Sequence, residues 1–310
     1  MRDYREIVKR IQGPLAPVLV AYSDDESVDV DSTCRWVDWM IRGGIRLFWT
    51  TAGTSNYICL TDDEIVEVNR AVARTIGQRG VFIASTAWQW PVARCREFIR
   101  QAAEWGVDIV KCQIEWCRQP TDDQVVAHYR AIAEDSPLPL FAYALPCADV
   151  GNDLLRRIIE IPQFVGEKND IDDYRGHERF FRCVDRYAGG PGRFVPMTGG
   201  GLSSVLHGWD FGVRAYGDVI AWFAPGRTLE FDSHVRAGDR AAAVAFVKHW
   251  EHPLYEQWQD LGVHCWSWGH AACKLLGHFE SDRMRFPLAT ATAEQAEGVA
   301  RYLSERGVLV

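Results

Sequence analysis

Lys168 stands in the run Phe164-Val165-Gly166-Glu167-Lys168, near the end of an apolar stretch that reads as a strand. Burying a charged lysine in such a place is costly unless the amine is paired or gives up its proton. A lysine that has lost its proton near neutral pH is a nucleophile toward ketones. Upstream, Phe141-Ala142-Tyr143-Ala144-Leu145-Pro146 ends the preceding strand with a tyrosine. An amine and a phenol on neighbouring strand ends can make and break an imine. The amine attacks the carbonyl, and the phenol carries protons to and from the carbinolamine. Each residue also has a plainer use: a lysine can snorkel to a rim, and a tyrosine can simply pack.

The elements that position the pair follow from the hydrophobic pattern. Apolar strand-like runs begin near residues 17, 45, 81, 107, 138, 163, 193 and 218, with amphipathic helical patterns between most of them. The first run is Pro17 to Ala21, followed by a helix from Asp31 to Arg42. Thr61-Asp-Asp-Glu64, Thr121-Asp-Asp-Gln124 and Thr292-Ala-Glu-Gln295 are capping boxes that mark three helix starts. Strand–helix alternation at this period implies parallel strands with right-handed crossovers, and eight units suggest a closed (β/α)8 TIM barrel. An open doubly wound sheet would want a glycine-rich phosphate loop after the first strand, and Ala21-Tyr22-Ser23-Asp24-Asp25 is not one. Beyond the eighth strand Ala237 to Gln259, Trp266 to Leu276 and Ala293 to Arg306 read as helices. The expected organisation is a barrel over residues 1–230 and a helical extension over 231–310, packed as one unit.

Such barrels carry their active sites at the C-terminal ends of the strands. Lys168 and Tyr143 fall there, on strands six and five. Side chains alternate along a strand, so Tyr143 shares a face with Phe141, and Lys168 with Gly166. If both faces point inward, Gly166 leaves room for the lysine and Glu167 points outward, toward a salt bridge with a helix.

A net charge of −8 without a basic stripe excludes nucleic acid and acidic membranes as expected partners. No apolar run reaches the ~18 residues of a membrane helix, and the N-terminus has no apolar leader core. Nine scattered cysteines with no CxxC fit reduced thiols in the cytoplasm better than a disulfide framework. No metal site and no cofactor is expected. His249 and His252 have one-face helical spacing, but a solvent-facing pair is the simpler reading. Thirteen tryptophans are unusual: Trp49, Trp88, Trp90, Trp116 and Trp222 fall near strand ends, with Glu115 and Asp149 on the same rim. They suit either an aromatic-lined mouth or packing.

With these motifs in place, the sequence resembles the dihydrodipicolinate synthase / N-acetylneuraminate lyase family of Schiff-base aldolases. The likeness is carried by Ser27-Val28-Asp29 and Val37 to Gly44 around the first helix, and by Leu60 to Glu64. It is carried further by Tyr143-Ala144-Leu145-Pro146 for Y-N-x-P, Gly166-Glu167-Lys168 for G-x-K, and Phe286-Pro287-Leu288. The resemblance implies that Lys168 forms an imine with pyruvate or another 2-keto acid, and that Tyr143 is the acid/base. It puts Gly53, Thr54 and Ser55 where the family's GTTGE loop holds the keto-acid carboxylate, and Gly199 and Ile220 on the pocket wall. It also implies a homotetramer or homodimer.

The departures are specific. Gly53 replaces the first of two adjacent threonines, Cys117 stands where a tyrosine reaches a neighbouring subunit, and Cys147-Ala148-Asp149 lacks the arginine for an aldehyde carboxylate. The expected function is therefore a Schiff-base aldolase or dehydratase for a 2-keto acid or 2-keto-3-deoxy sugar acid, and not an efficient dihydrodipicolinate synthase. The alternative is a non-catalytic relative that binds a keto acid as regulator or scaffold.

Overall fold

The computed structural model describes residues 4–51, 53–114, 120–143, 152–169 and 174–309. Eight parallel strands close a barrel in sequence order: β1 (Gly13–Pro17), β2 (Leu47–Trp49), β3 (Val81–Ser85), β4 (Ile109–Gln113), β5 (Leu140–Tyr143), β6 (Phe164–Asn169), β7 (Val195–Thr198) and β8 (Ala215–Gly217). β1 pairs with both β2 and β8, which completes the ring. Every strand position but Tyr143 and Gly217 is buried, because helices cover the outside and side chains fill the inside. The inner core includes Leu15, Leu47, Ile83, Ile109, Phe141 and Met197. Val8 and Ile11 join it from the N-terminal helix Arg5–Arg10 and its exit, closing the end opposite the strand C-termini.

The three capping boxes form as the sequence demands, with Thr61, Thr121 and Thr292 each accepting from the third helical amide. Arg285 makes a two-pronged pair with Glu64 of the first box, at 2.7 and 2.8 Å, tying the C-terminal segment to the helix Asp62–Ile76.

The ends of the barrel differ from the sequence expectation. The first strand is Gly13–Pro17, four residues earlier than the run Pro17–Ala21; Val18–Ala21 is buried chain beyond the ladder. Two prolines in five residues disguise the strand, and apolarity alone does not separate a strand from a buried connection. Likewise the eighth strand ends at Gly217, and the apolar run after it forms a 3-10 turn, Ile220–Trp222. The helices Leu202–Gly208 and Pro225–Ala237 were not expected. The latter spans residues 230 and 231 and packs on β1. The single helix expected from Ala237 to Gln259 is instead Arg240–Phe246, a π-helical turn Val247–Glu251 and His252–Asp260; Gly238, in the left-handed region at φ 73°, ends the helix before them. Among the described residues no helix is long and apolar enough to cross a membrane.

One irregularity bears on the site. The register of β5 on β6 shifts between Leu140↔Phe164 and Phe141↔Gly166, so Val165 is the extra residue of a bulge. Both Val165 and Gly166 thereby face the interior, and the inward phase is reset for Lys168. The space that Gly166 leaves is not used by the lysine. It is filled by Phe141, whose Cε2 would lie 2.2 Å from a Cβ placed on Gly166, with Val195 O at 2.7 Å. We predict that Gly166→Ala lowers the unfolding free energy by about 2–3 kcal/mol, at the upper end of overpacking costs. Adding Phe141→Leu should recover only part of it, because the Val195 carbonyl remains. Denaturant midpoints of the three proteins check this.

Candidate active site

The C-terminal mouth of the barrel opens into a cavity of about 550 Å3. Lys168 and Tyr143 both line it. Ala142 pairs with Glu167, so the residues that follow each of them stand side by side on adjoining strands. The Lys168 amine lies 4.9 Å from the centre of the Tyr143 ring and 5.7 Å from that of Trp49. Lys168 is only 7% exposed. Tyr143 is fixed at its backbone by Tyr129, whose hydroxyl donates to Tyr143 O at 3.0 Å. Tyr129 comes from the helix Asp122–Ala133, so the capped helix sets the end of β5.

Gly53, Thr54, Gly199 and Ile220 also line the cavity. Ser55 does not. It is fully buried; its hydroxyl donates to Val18 O at 2.6 Å and accepts from Thr51 N at 3.0 Å. The Ser55 and Asn56 amides are spent inside the loop, on Thr51 O and Gly53 O. Of the three loop residues, Gly53 and Thr54 alone line the cavity. Ser55 buttresses the turn, because a small hydroxyl between two backbone groups satisfies both.

The tryptophans divide. Trp49 and Trp88 line the cavity, while Trp90 donates to Asp62 at 2.7 Å and Trp222 to Pro17 O at 2.8 Å, both within the packing. Trp266, from the helix Cys265–Leu275, enters the wall unannounced by the sequence reading. Its Cζ2 would sit 3.0 Å from a Cβ on Gly53. The indole occupies the place a larger residue at 53 would need. Trp116, Glu115, Cys117 and the stretch Ala144 to Asp149 lie outside the described residues. His249 and His252 are both exposed. Among the described residues no group of three or more His, Cys, Asp or Glu could hold a metal ion.

Glu167 departs from its expected role. It is fully buried, and neither carboxylate oxygen has a hydrogen-bond partner among the described residues. Among the described residues it forms no salt bridge to a helix; burial pushes its carboxyl up to about 8, so it is a neutral acid behind the lysine at neutral pH.

The cavity wall also holds one amine and two carboxyl groups that the sequence reading did not name. Lys111, on the inner face of β4, is fully buried with its amine 4.1 Å from the Trp49 ring centre and 4.8 Å from that of Tyr143. The argument that singles out Lys168, a charge inside an apolar strand, applies to it equally. Asp218 follows β8, and its Oδ1 accepts from Ile220 N at 2.8 Å. Burial pushes its carboxyl up to about 7, against the pull of contacts from Thr228 and Ile220; nearby Glu251 adds to the rise. Glu251 ends the π-helical turn and accepts from Ser203 N at 3.1 Å, Ser203 Oγ at 2.8 Å and the Tyr255 hydroxyl at 3.2 Å, as well as from Leu202 N. Gly201 makes this approach feasible: a Cβ there would meet Glu251 and Tyr255 at 2.7 Å. No local pattern announces Glu251, since a helix residue reaches the mouth only through tertiary packing.

A buried amine beside a phenol at the mouth of an eight-stranded barrel, in G-x-K and Y-x-x-P contexts, agrees with what a whole-chain comparison finds. The model of the Dihydrodipicolinate synthetase family matches residues 10–306. The chain belongs to that family. Relatives include the 4-hydroxy-tetrahydrodipicolinate synthase of Laribacter hongkongensis, 27% identical over 75% of this chain and 78% of that protein. A probable 5-dehydro-4-deoxyglucarate dehydratase 2 of Streptomyces avermitilis is 25% identical over 96% of this chain and 89% of that protein. The crystal structure of dihydrodipicolinate synthase from Oceanobacillus iheyensis shares the fold, with a TM-score of 0.85 at 18% identity over 98% of this chain and 99% of that one. Family members of both kinds are lyases, and this chain is a lyase of the family.

Proposed function

We propose that this lyase forms a Schiff base between Lys168 and a 2-keto acid, pyruvate or a 2-keto-3-deoxy sugar acid. The observation that carries the reading is the Lys168 amine in the cavity wall, 4.9 Å from the Tyr143 ring. The amine adds to the keto carbon, and the carbinolamine loses its hydroxyl as water with a proton supplied by Tyr143. The resulting iminium is an electron sink. It accepts the pair released when a carbon–carbon bond breaks in aldol cleavage, or when a proton leaves the adjacent carbon ahead of dehydration. In this reading Gly53 and Thr54 receive the keto-acid carboxylate, and Gly199 and Ile220 bound the chain beyond it; all four line the cavity.

A sugar-acid substrate is favoured over the aldehyde of dihydrodipicolinate synthesis. Residues 147–149 supply no arginine for the carboxylate of that aldehyde, and Gly53 with the Trp266 indole replaces a threonine hydroxyl. The Streptomyces relative named as a dehydratase supports the same choice. A homodimer or homotetramer and a cytoplasmic location belong to this reading. The seven described cysteines are all free thiols, as a reducing compartment keeps them.

The test is a panel of 2-keto acids incubated with the protein and borohydride. Pyruvate or a 2-keto-3-deoxy sugar acid should leave a reduced adduct on the Lys168 peptide, and the sugar acid should turn over with release of pyruvate or loss of water. Adducts that never appear for any member, or that appear only on another lysine, overturn the proposal. An adduct without turnover of any member would favour the keto-acid sensor.

A further inference from the structure

The side of the mouth over β7 and β8 differs in character from the side over β4 to β6. Among the described residues its lining carries no lysine or arginine. It carries instead two carboxyl groups and a phenol, those of Asp218, Glu251 and Tyr255. Below them the strand ends leave an open floor. Gly199 follows β7 and Gly217 ends β8, and a Cβ on Gly217 would meet nothing nearer than the Gly199 Cα at 3.9 Å. A chain leaving a carbon held at Lys168 on β6 can run across this floor, because β7 and β8 are the next strands of the ring.

What the wall offers such a chain is hydrogen-bond acceptance. Glu251 receives from four donors, Leu202 N, Ser203 N, Ser203 Oγ and the Tyr255 hydroxyl, so both of its oxygens serve as carboxylate acceptors. The Tyr255 proton is spent on that bond, and its oxygen keeps only lone pairs to offer. Asp218 accepts from Ile220 N through Oδ1, while its Oδ2 completes no hydrogen bond among the described residues. The nearby amides are committed as well. Gly199 N donates to Asn169 O and Asp218 N to Leu15 O, and the amides of Leu202, Ser203 and Ile220 go to the two carboxyl groups.

A ligand hydroxyl can donate to such a wall, whereas a ligand carboxylate cannot. A carboxylate there would also stand beside like charge, and with Asp218 and Glu251 each 3% exposed, salt and water screen it weakly. Lys111 lies on β4, opposite β8 in the ring, and Lys168 on β6 is at the near edge of the floor, where the keto carbon is held.

We propose that Asp218, Glu251 and Tyr255 select the far end of the substrate, accepting an uncharged, hydroxyl-bearing chain and refusing a second, terminal carboxylate. The proposal rests on the reading that Lys168 holds the keto carbon, and it narrows the substrate to monocarboxylic sugar acids. Its decisive readout needs no imine.

The probes are two six-carbon 3-deoxy acids of the same configuration, one ending in a hydroxymethyl group and the other in a carboxylate. Each carries a hydroxyl in place of the keto group at C2, so neither can form an imine, and calorimetry reads recognition of the tail alone. The titrations are run at pH 8, above the Asp218 carboxyl at about 7. The hydroxymethyl acid should bind the wild-type protein about a hundredfold more tightly or better. Asp218→Asn removes one charge and supplies an amide donor, and should cut that preference about tenfold. Equal affinities in the wild-type protein, a preference for the dicarboxylate, or no binding of either acid at millimolar concentrations overturns the proposal, and these outcomes decide it even where the variant does not fold. So does a preference that survives intact in a folded Asp218→Asn protein. A clear preference in this pair, with no keto acid ever trapped by borohydride on Lys168, would sink the imine reading and leave the acceptor wall standing. Keto acids trapped on Lys168, with equal affinities in this pair, would do the reverse.

Discussion

Lys168→Ala should lose all adduct formation with a keto acid and about 10^4-fold or more of its turnover, with its thermal transition within a few degrees of wild type. The nucleophile of a covalent mechanism has no substitute, and removing one collapses the whole pathway at once. The stability term is small, because an amine at the cavity wall is replaced by a methyl group that leaves its neighbours in place. Tyr143→Phe provides the contrast. It keeps the amine and the ring beside it but removes the proton carrier, for which about 10^2- to 10^4-fold is expected. Its adduct should still form with borohydride, slowly, while turnover falls. Intact-mass measurement after reduction and steady-state turnover together separate the two roles. An alanine variant within tenfold of wild type, or one still trapped elsewhere in the barrel, would remove Lys168 from the chemistry.

The contrast between what was and was not legible in the sequence has physical causes. The barrel was legible because parallel strands buried on both sides leave unbroken apolar runs, and capped amphipathic helices separate them. Lys168 and Tyr143 were legible because strand ends converge on one mouth, while Gly53, Thr54, Gly199 and Ile220 came from the resemblance; all six line the cavity. The failures cluster where a residue's environment is decided by distant chain. Ser55 looks like a loop hydroxyl free to bind an anion, yet Val18, 37 residues away, takes it. Glu251 and Trp266 reach the mouth from the helical extension, whose docking no local period encodes. The bulge at Val165 is invisible to strict alternation, although it fixes which of Gly166, Glu167 and Lys168 face inward. β1 was displaced because Pro14 and Pro17 argue against a strand, while the apolar chain after them mimics one.

The same bulge leaves Glu167 on the outer face, where the sheet and its covering helices enclose it completely. Cys183, on the helix Tyr174–Ala188, lies close enough to feel the carboxyl: burial first, and Glu167 after it, push its thiol up to about 11. An acid in this position stabilises the fold only while it keeps its proton. Burial raises its folded pKa to about 8 from an ordinary 4.5. The unfolded chain therefore releases this proton first as pH rises. The contribution is fully present below 4.5, shrinks between 4.5 and 8, and is gone above 8, a total on the order of 5 kcal/mol. Glu167→Gln removes the titration and keeps the shape. Relative to wild type, the glutamine protein should be near parity or slightly less stable at pH 4.5 and should gain several kcal/mol by pH 8.5. Urea unfolding of both proteins at closely spaced pH values gives the difference curve, in which the histidines and Asp218 cancel because both proteins carry them. Two parallel stability curves across that window would mean that Glu167 is ionised and compensated in the fold, and would restore the ion pair expected of it from the sequence.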